Sequence, residues 1–495
     1  MHNLQEMRKR EAEIRLEASA TAVSVANAML ERVPAYRDFL RDHDWSGERI
    51  ERYDDFLTLP LSDKQNYITA YDFTRRCLDG GLGGKHLIFS SSGSSGEPCY
   101  WTIVPEDEES MPETFNTLLE LSLDYRRHRC LIVLCLGLGA WMSGLQTHWA
   151  LRQAGIMNRG SFSLVSPGAD VETAVRCIRD LAPSFDTLFL ISYPGLTRVI
   201  IDRGKDAGID WRRYRMRLGL VGDNYSEGWR SWMEDTLGID KSDPLTIFGG
   251  YGGADMGGVG IESPLSIRVR RLAAEFPDLR RKLFGCDRMP FFCRSDPRAI
   301  FTEIINGELV FTRLKGVPLA RYSIGDQGDV IACSDLLALL EEEGLSRDLP
   351  LDLENRLYPE PLPFVYTFGK ANENLTLYGG NIYAAYLREI FSGPEWNDRV
   401  TGRFRMHKQL DAQFRERFHL LLELASGVEM PSSGVVSEWA RVIQKQLMEI
   451  SSEYQALCRD DESRHLLAPV LDLRPFGDPA LESGNRYKTI YIDKG

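Results

Sequence analysis

Four segments of the chain combine residue types whose spacing suits chemistry. The first runs Ser90, Ser91, Ser92, Gly93, Ser94, Ser95, Gly96, Glu97, Pro98. Glycines let backbone N–H groups converge and hydroxyls add donors without bulk, so such a turn can wrap an anion. A flexible Ser/Gly surface linker is the other reading. No Gly-Lys-Ser/Thr follows, which excludes a Walker-type loop. The second segment, Gly249, Gly250, Tyr251, Gly252, Gly253, Ala254, Asp255, Met256, Gly257, Gly258, directly follows a strand candidate. Its glycines allow close approach to the backbone at a strand's carboxyl end, where open α/β sheets bind ligands. Asp255 inside it is either a turn residue or a metal ligand. The third is Arg321, Tyr322, Ser323, Ile324, Gly325, Asp326, and the fourth joins Gly369 and Lys370 to Tyr378, Gly379, Gly380 and Asn381. Turn and hairpin glycines account for each segment singly; their order along one chain is a stronger signal.

The elements that must position these segments follow from periodicity. Residues 1–41 read as helix, with apolar residues at approximate helical spacing among charges, and Ser62 and Asp63 are candidate caps of a short helix. The Ser/Gly run lies between two β-prone stretches, 87–89 and 100–103, giving strand, loop, strand. From 130 onward, strand candidates at 131–136, 187–192, 218–221 and 245–248 alternate with helix candidates at 142–154, 170–182, 194–205 and 225–237. That alternation predicts a parallel sheet with crossover helices. Hairpin-like strands follow over 308–333. Beyond Gly369 the sequence predicts one more strand in ENLTLYGG, helices over 382–391 and 434–458, and a terminal TIYI strand.

Composition bounds the remaining choices. At 495 residues with 43% hydrophobic, 10% aromatic and 26% charged residues, the chain has the balance of a globular protein of two or more domains. Lys and Arg number 59 against 72 Asp and Glu, a net charge of −13 that disfavours nucleic acid and anionic membrane as partners. The longest apolar stretch, 131–142, is well short of the ~20 residues of a membrane helix. The opening segment reads as charged helix and not as a signal peptide. Nine cysteines without a C-x-x-C pair point to reduced thiols and a cytoplasmic location.

Taken together, the four segments resemble the adenylate-forming superfamily of acyl-CoA ligases, and within it the phenylacetate-CoA ligase branch. The family's SSGTTGxP phosphate loop is matched by Ser91 to Pro98, with serines for threonines and Glu97 where a Lys is usual. Its YGxSE segment is similar to Tyr251, Gly252, Gly253, Ala254, Asp255. GELVFTxL and RYxxGD are matched by the run from Gly307 to Leu314 and by Arg321 to Asp326. GRxDD and RGxNI resemble Gly369 to Glu373 and Tyr378 to Ile382, with Lys370 for Arg and Asn372 for the usual acid. The closing GNRYKTIYID resembles the family's ending.

The resemblance implies an α/β fold: a large N-terminal domain, 1–368, with parallel and mixed sheets and crossover helices, and a small mobile α+β C-terminal domain, 369–495. It implies ATP-dependent activation of a carboxylic acid, with aromatic acids favoured, to an acyl-adenylate with release of pyrophosphate, then transfer to coenzyme A. Transfer to an amine or a carrier-protein thiol, and a non-catalytic nucleotide-binding relative, are the alternatives. ATP and Mg²⁺ are the implied cofactors; a small carboxylic acid is the implied partner, with a carrier protein or a homodimer left open. Ser91, Ser92, Gly93, Ser94, Ser95 and Gly96 would hold phosphates, Asp255 the metal, Asp326 the ribose, and Gly222, Asp223 and Asn224 the adenine, with Tyr251, Gly252, Gly253 and Lys370 completing the nucleotide site. Lys488 would be the mobile catalytic lysine. Trp141, Tyr193, Gly250 and Tyr251 would line the acid pocket.

Overall fold

The computed structural model describes residues 4–84, 87–90, 99–103, 111–370, 374–377, 380–410, 416–451, 454–455, 458 and 461–481. Its first two strands, β1 (Leu87–Ser90) and β2 (Tyr100–Ile103), pair antiparallel. A mixed eleven-stranded sheet then takes up β3 (Cys130–Cys135), β4 (Phe162–Val165), β5 (Thr187–Ser192), β6 (Arg215–Val221), β7 (Ile247–Gly253), β8 (Gly257–Ile261), β9 (Phe291–Arg294), β10 (Phe301–Ile305), β11 (Glu308–Arg313), β12 (Leu319–Ile331) and β13 (Phe364–Lys370). Their order across the sheet is β10-β11-β12-β13-β9-β8-β7-β6-β5-β3-β4.

The half from β4 to β7 is parallel, and the half from β7 to β10 is antiparallel. Parallel strands need long crossovers, and helices Met142–Met157, Val171–Leu181, Pro194–Asp206 and Glu227–Leu237 supply them. Each follows the alternation read from sequence to within a few residues. Local chemistry sets their starts: Asp170 accepts from Thr173 N at 2.9 Å, and Ser226 Oγ accepts from Trp229 N at 3.0 Å. The inner strands β3, β5 and β6 are buried on both faces, hence their long apolar runs, whereas edge strand β4 is buried only at Phe162. Leu131 and Val133 join one core, whereas Ile132 and Leu134 of the same strand join another on the opposite face.

The chain leaves the large sheet at Lys370. The portion beyond it has its own core, drawn entirely from residues between Leu375 and Leu473. The ENLTLYGG region yields two paired strands, β14 (Asn374–Leu377) and β15 (Gly380–Tyr383). Helix Ser433–Ile450 packs beside a three-stranded sheet of β16 (Val400–Leu410), β17 (Glu416–Leu424) and β18 (Val470–Arg474). Sequence reading expects the helices on either side, over 382–391 and 434–458, and assigns no strand to the residues of this sheet. The terminal TIYI strand lies outside the described residues.

At the other end, the single helix expected over 1–41 is two, Leu4–Arg32 and Pro34–Asp42, because Pro34 lacks an N–H and is tolerated only at a helix start. Of the two candidate caps, Asp63 caps the turn Lys64–Ile68 by accepting from Gln65 N and Asn66 N, both at 2.7 Å. Ser62 instead stitches this segment onto β12: its N–H donates to Arg321 O at 2.9 Å, and Ser323 N donates to Ser62 O at 2.8 Å.

Candidate active site

A cavity of about 650 Å³ opens where the parallel and antiparallel halves of the sheet meet. Gly222, Asp223 and Asn224, in the turn after β6, form one side of it. Gly250, Tyr251, Gly252 and Gly253 of β7 and Asp255 beyond it form the floor. Asp326 of β12 and Gly369 and Lys370 of β13 stand opposite. Residues spread over nearly 150 positions of sequence are thus gathered in one place because β7, β12 and β13 belong to one sheet. Asp326 and Lys370 are directly paired across β12 and β13.

The geometry around each acid is specific. Asp326 is buried, and its Oδ2 accepts from the Tyr251 hydroxyl at 2.7 Å. Burial and then the Asp326 charge push the Tyr251 phenol well above its usual range, so it stays a donor. Asp255 is half-buried, and its Oδ2 lies 3.4 Å from the Tyr322 hydroxyl, a phenol also pushed up by burial and then by the Asp255 charge. The Arg313 guanidinium donates through Nε, at 3.2 Å, and Nη2 to the Asp255 carbonyl, which fixes the backbone under that carboxylate. Asp223 pairs with Arg388 at 3.4 Å, a cation reaching the cavity from helix Ala384–Phe391 beyond the large sheet.

Gly222 shows why this turn is glycine. Its φ is +83°, and a Cβ there would come 2.7 Å from the Tyr193 ring. Tyr193 itself is buried with Phe189 and Phe248 and does not line the cavity. Trp141 stands just before helix Met142–Met157, beside Gly137, and does not line it either. Trp141 bridges to Ser90, whose N–H donates to Ala140 O at 2.8 Å. The start of the Ser/Gly run is thereby anchored next to that helix. Residues Ser91, Ser92, Gly93, Ser94, Ser95, Gly96 and Lys488 lie outside the described residues.

Several lining residues carry no local sequence signal. Phe291 and Thr367 read as ordinary strand residues, and Arg388 as a surface position on an amphipathic helix. Glu308 and Tyr322 lie within the GELVFT and RYSIGD runs and were reachable from them. Ser323 Oγ donates to Glu308 Oε2 at 2.8 Å and accepts from Gly325 N at 3.1 Å, shaping the turn that presents Asp326. Among the described residues no His/Cys/Asp/Glu cluster forms a protein-only metal cage, and no helix is long and apolar enough to cross a membrane.

No protein-family model and no curated protein matches the sequence. Solved structures do. 2-Hydroxyisobutyryl-CoA ligase in the postadenylation state with 2-HIB-AMP is similar over 96% of this chain and 88% of that one, with a TM-score of 0.63 and 12% identity. The same ligase in an open conformation with 2-HIB-AMP and CoA gives 0.54 at 14% identity over 97% and 91%. In the thioesterification state it gives 0.53 at 13% identity over 97% and 90%. The chain shares the fold of that CoA ligase, a large mixed-sheet unit followed by a C-terminal one with its own core.

Proposed function

We propose that this protein is an ATP-dependent, AMP-forming ligase that converts a carboxylic acid to its acyl-adenylate and passes the acyl group to coenzyme A. The observation that carries the reading is the convergence of Gly222 to Asn224, Gly250 to Asp255, Asp326 and Lys370 on one cavity. In adenylation a carboxylate oxygen bonds to the α-phosphorus while the bond to the bridging oxygen of pyrophosphate breaks. Charge develops on phosphate oxygens, so catalysis is positioning plus electrostatics.

The charge of the cavity supports that division of labour. Its lining carries the carboxylates Asp63, Asp223, Asp255, Glu308 and Asp326 against the cations Lys64, Lys370 and Arg388. Such a lining suits the ribose and base of a nucleotide and a phosphate-bound Mg²⁺ better than bare phosphates. Phosphate binding then falls to the N–H groups and hydroxyls of Ser91 to Gly96, and charge neutralisation in the adenylation step to Lys488. Asp326 accepts from the ribose hydroxyls beside Tyr251, and the Gly222 to Asn224 turn takes the adenine.

Asp255 fits Mg²⁺: it is a carboxylate at the cavity floor with its backbone clamped by Arg313, and Mg²⁺ takes one or two carboxylates plus substrate phosphate oxygens. When bound, the ion would withdraw charge from the phosphate oxygens. For the acid, the aromatic rings of Tyr251, Trp101 and Phe291 on the cavity wall favour a flat aryl group. That preference, with the motif resemblance, supports the phenylacetate-CoA ligase-like branch.

The test is acid-dependent pyrophosphate release and ATP–pyrophosphate exchange across a panel of aryl and aliphatic acids, with and without coenzyme A. Exchange with an aryl acid, AMP as product and thioester only with coenzyme A are expected. Tight ATP binding with no exchange for any acid refutes the reading.

A further inference from the structure

Beneath the cavity floor lies a cluster of buried charges that the scheme above does not use. Glu262, the residue after β8, is 0% exposed and accepts four hydrogen bonds. Arg230 Nη2 and Arg270 Nη1 donate to Oε1 at 2.7 and 2.6 Å. Gly249 N donates to Oε2 at 2.8 Å, and the Tyr225 hydroxyl donates to the same oxygen. The two guanidiniums also grip backbone. Arg230 donates to Ile247 O of β7, and Arg270 donates to Tyr225 O at 2.5 Å. Glu227 balances the second positive charge, accepting from Arg230 Nε at 2.9 Å. Gly249 makes the junction fit, since a Cβ there would meet the Phe291 ring at 2.6 Å and the Tyr225 hydroxyl at 3.2 Å.

We infer that Glu262, Arg230, Arg270 and Tyr225 act as positioning residues that lock the 222–225 turn to β7 and so preform the base and ribose side of the nucleotide site. The geometry supports positioning over packing alone. A buried carboxylate needs its charge paired and its lone pairs satisfied, and an apolar core of the same shape would serve stability as well. Here every bond ends on one of the two segments that line the cavity or on a side chain that holds them. Both guanidiniums lie over the Tyr225 ring, with the Arg230 and Arg270 carbons 5.0 and 5.3 Å from its centroid, so the tyrosine is fixed at its face and its hydroxyl. The turn therefore keeps its shape without nucleotide, and binding does not have to order it.

This inference rests on the nucleotide reading, and its test separates the two. Tyr225→Phe removes one donor and keeps the ring. The apparent KM for ATP in pyrophosphate exchange is expected to rise about tenfold, the scale of one lost charge-assisted hydrogen bond, with kcat and the KM for the acid nearly unchanged. The thermal midpoint should stay within about 4 °C of wild type. Glu262→Gln leaves two buried guanidiniums with Glu227 alone to balance them and should unfold readily, so the charge-balanced pair Glu262→Gln with Arg270→Gln is the second variant. It should recover stability relative to Glu262→Gln but not the ATP KM. Wild-type exchange with an ATP KM unmoved in Tyr225→Phe overturns the inference and leaves the ligase reading standing. Absence of exchange in wild type overturns the ligase reading, and calorimetric ATP affinity then decides: equal affinities in wild type and Tyr225→Phe overturn the inference too.

Discussion

Replacing Asp326 by asparagine tests the nucleotide assignment most directly. Asp326 is 8% exposed and one of its oxygens accepts from Tyr251 at 2.7 Å, which holds the carboxylate in place at the cavity. An ionised carboxylate has acceptor capacity for further donors, which the ribose hydroxyls would fill. Asp326→Asn keeps the shape and an oxygen for Tyr251, but it turns the other acceptor into an NH₂ donor and removes the charge. Losing one hydrogen bond to a charged group costs about 1.5–3 kcal/mol. At ~1.4 kcal/mol per decade, the ATP Kd should weaken by roughly 10- to 150-fold. Isothermal titration with a non-hydrolysable ATP analogue measures it, and 2′-deoxy-ATP supplies the control. Wild type should prefer the ribonucleotide, and Asp326→Asn should lose most of that preference, because the group that distinguishes the two is gone. A Kd within twofold of wild type, or a preference that survives intact, would show that Asp326 does not meet the ribose.

Other residues give independent tests. Asp255→Asn should abolish Mg²⁺-dependent adenylation while leaving ATP-free stability unchanged, since the acid stands at a loop and packs little; a normal Mg²⁺ titration of the rate would place the ion elsewhere. Lys488→Ala should lower the adenylation rate about 10²- to 10³-fold with little change in ATP affinity, by analogy with loss of one preorganised donor, and stopped-flow pyrophosphate release measures it. Arg321→Met leaves the buried Glu303 carboxylate without its guanidinium at 3.2 Å and frees the Leu57 and Leu59 carbonyls; about 3–5 kcal/mol should be lost in denaturant unfolding, much of it regained in the double variant with Glu303→Met. Asp186, held down to about 2 by bonds from the Arg129 guanidinium and N–H, contributes stability that is present above its unfolded value and lost as pH falls through its folded one. Asp186→Asn should flatten the stability profile between about pH 4 and 2 in acid titration.

The sequence makes visible whatever is dictated locally. Parallel strands buried on both faces write continuous apolar runs, and a crossover helix needs a cap and a periodic face, so four strands and four helices between 130 and 250 are legible, while edge strand β4, four residues long and mostly unburied, is not. The glycines of the cavity are readable for the same reason: a positive φ at Gly222 or a ring against Gly249 is a constraint on one residue type at one position. Arg388 and Phe291 are different. Their part in the cavity exists only once β7, β9 and β13 lie side by side and helix Ala384–Phe391 reaches Asp223, and no window of a dozen residues contains those neighbours. The small sheet is a third case. In β16 and β17, Phe404 and Met406 flank Arg405 and Phe418 and Leu420 flank His419, a period of two that Leu421 then interrupts, so the pattern is present but short.

The cluster around Glu262 marks the limit of motif reading. Glu262 lies seven residues beyond Asp255, and Arg270 eight beyond Glu262, on a helix where a charged residue normally reads as solvent-facing. In the structure Arg270 is 0% exposed and Glu262 pairs with it; despite the opposing effect of burial, the Arg230 and Arg270 charges hold the Glu262 carboxyl below its usual range. Burying that much charge gains little stability over an apolar core, so its presence calls for a reason outside stability. The bonds to Gly249 N, Ile247 O and Tyr225 O supply one. Glycine positions have no side chain to hold a strand's shape by packing, and β7 is glycine at four of its seven positions, all at its cavity end around Tyr251. The rigidity that the proposed nucleotide site needs at this strand therefore has to come from outside it, through hydrogen bonds to its backbone, and charged donors and acceptors make the strongest of these. The glycine motif and the buried charges below it are two halves of one arrangement: the first opens the cavity and the second keeps it open.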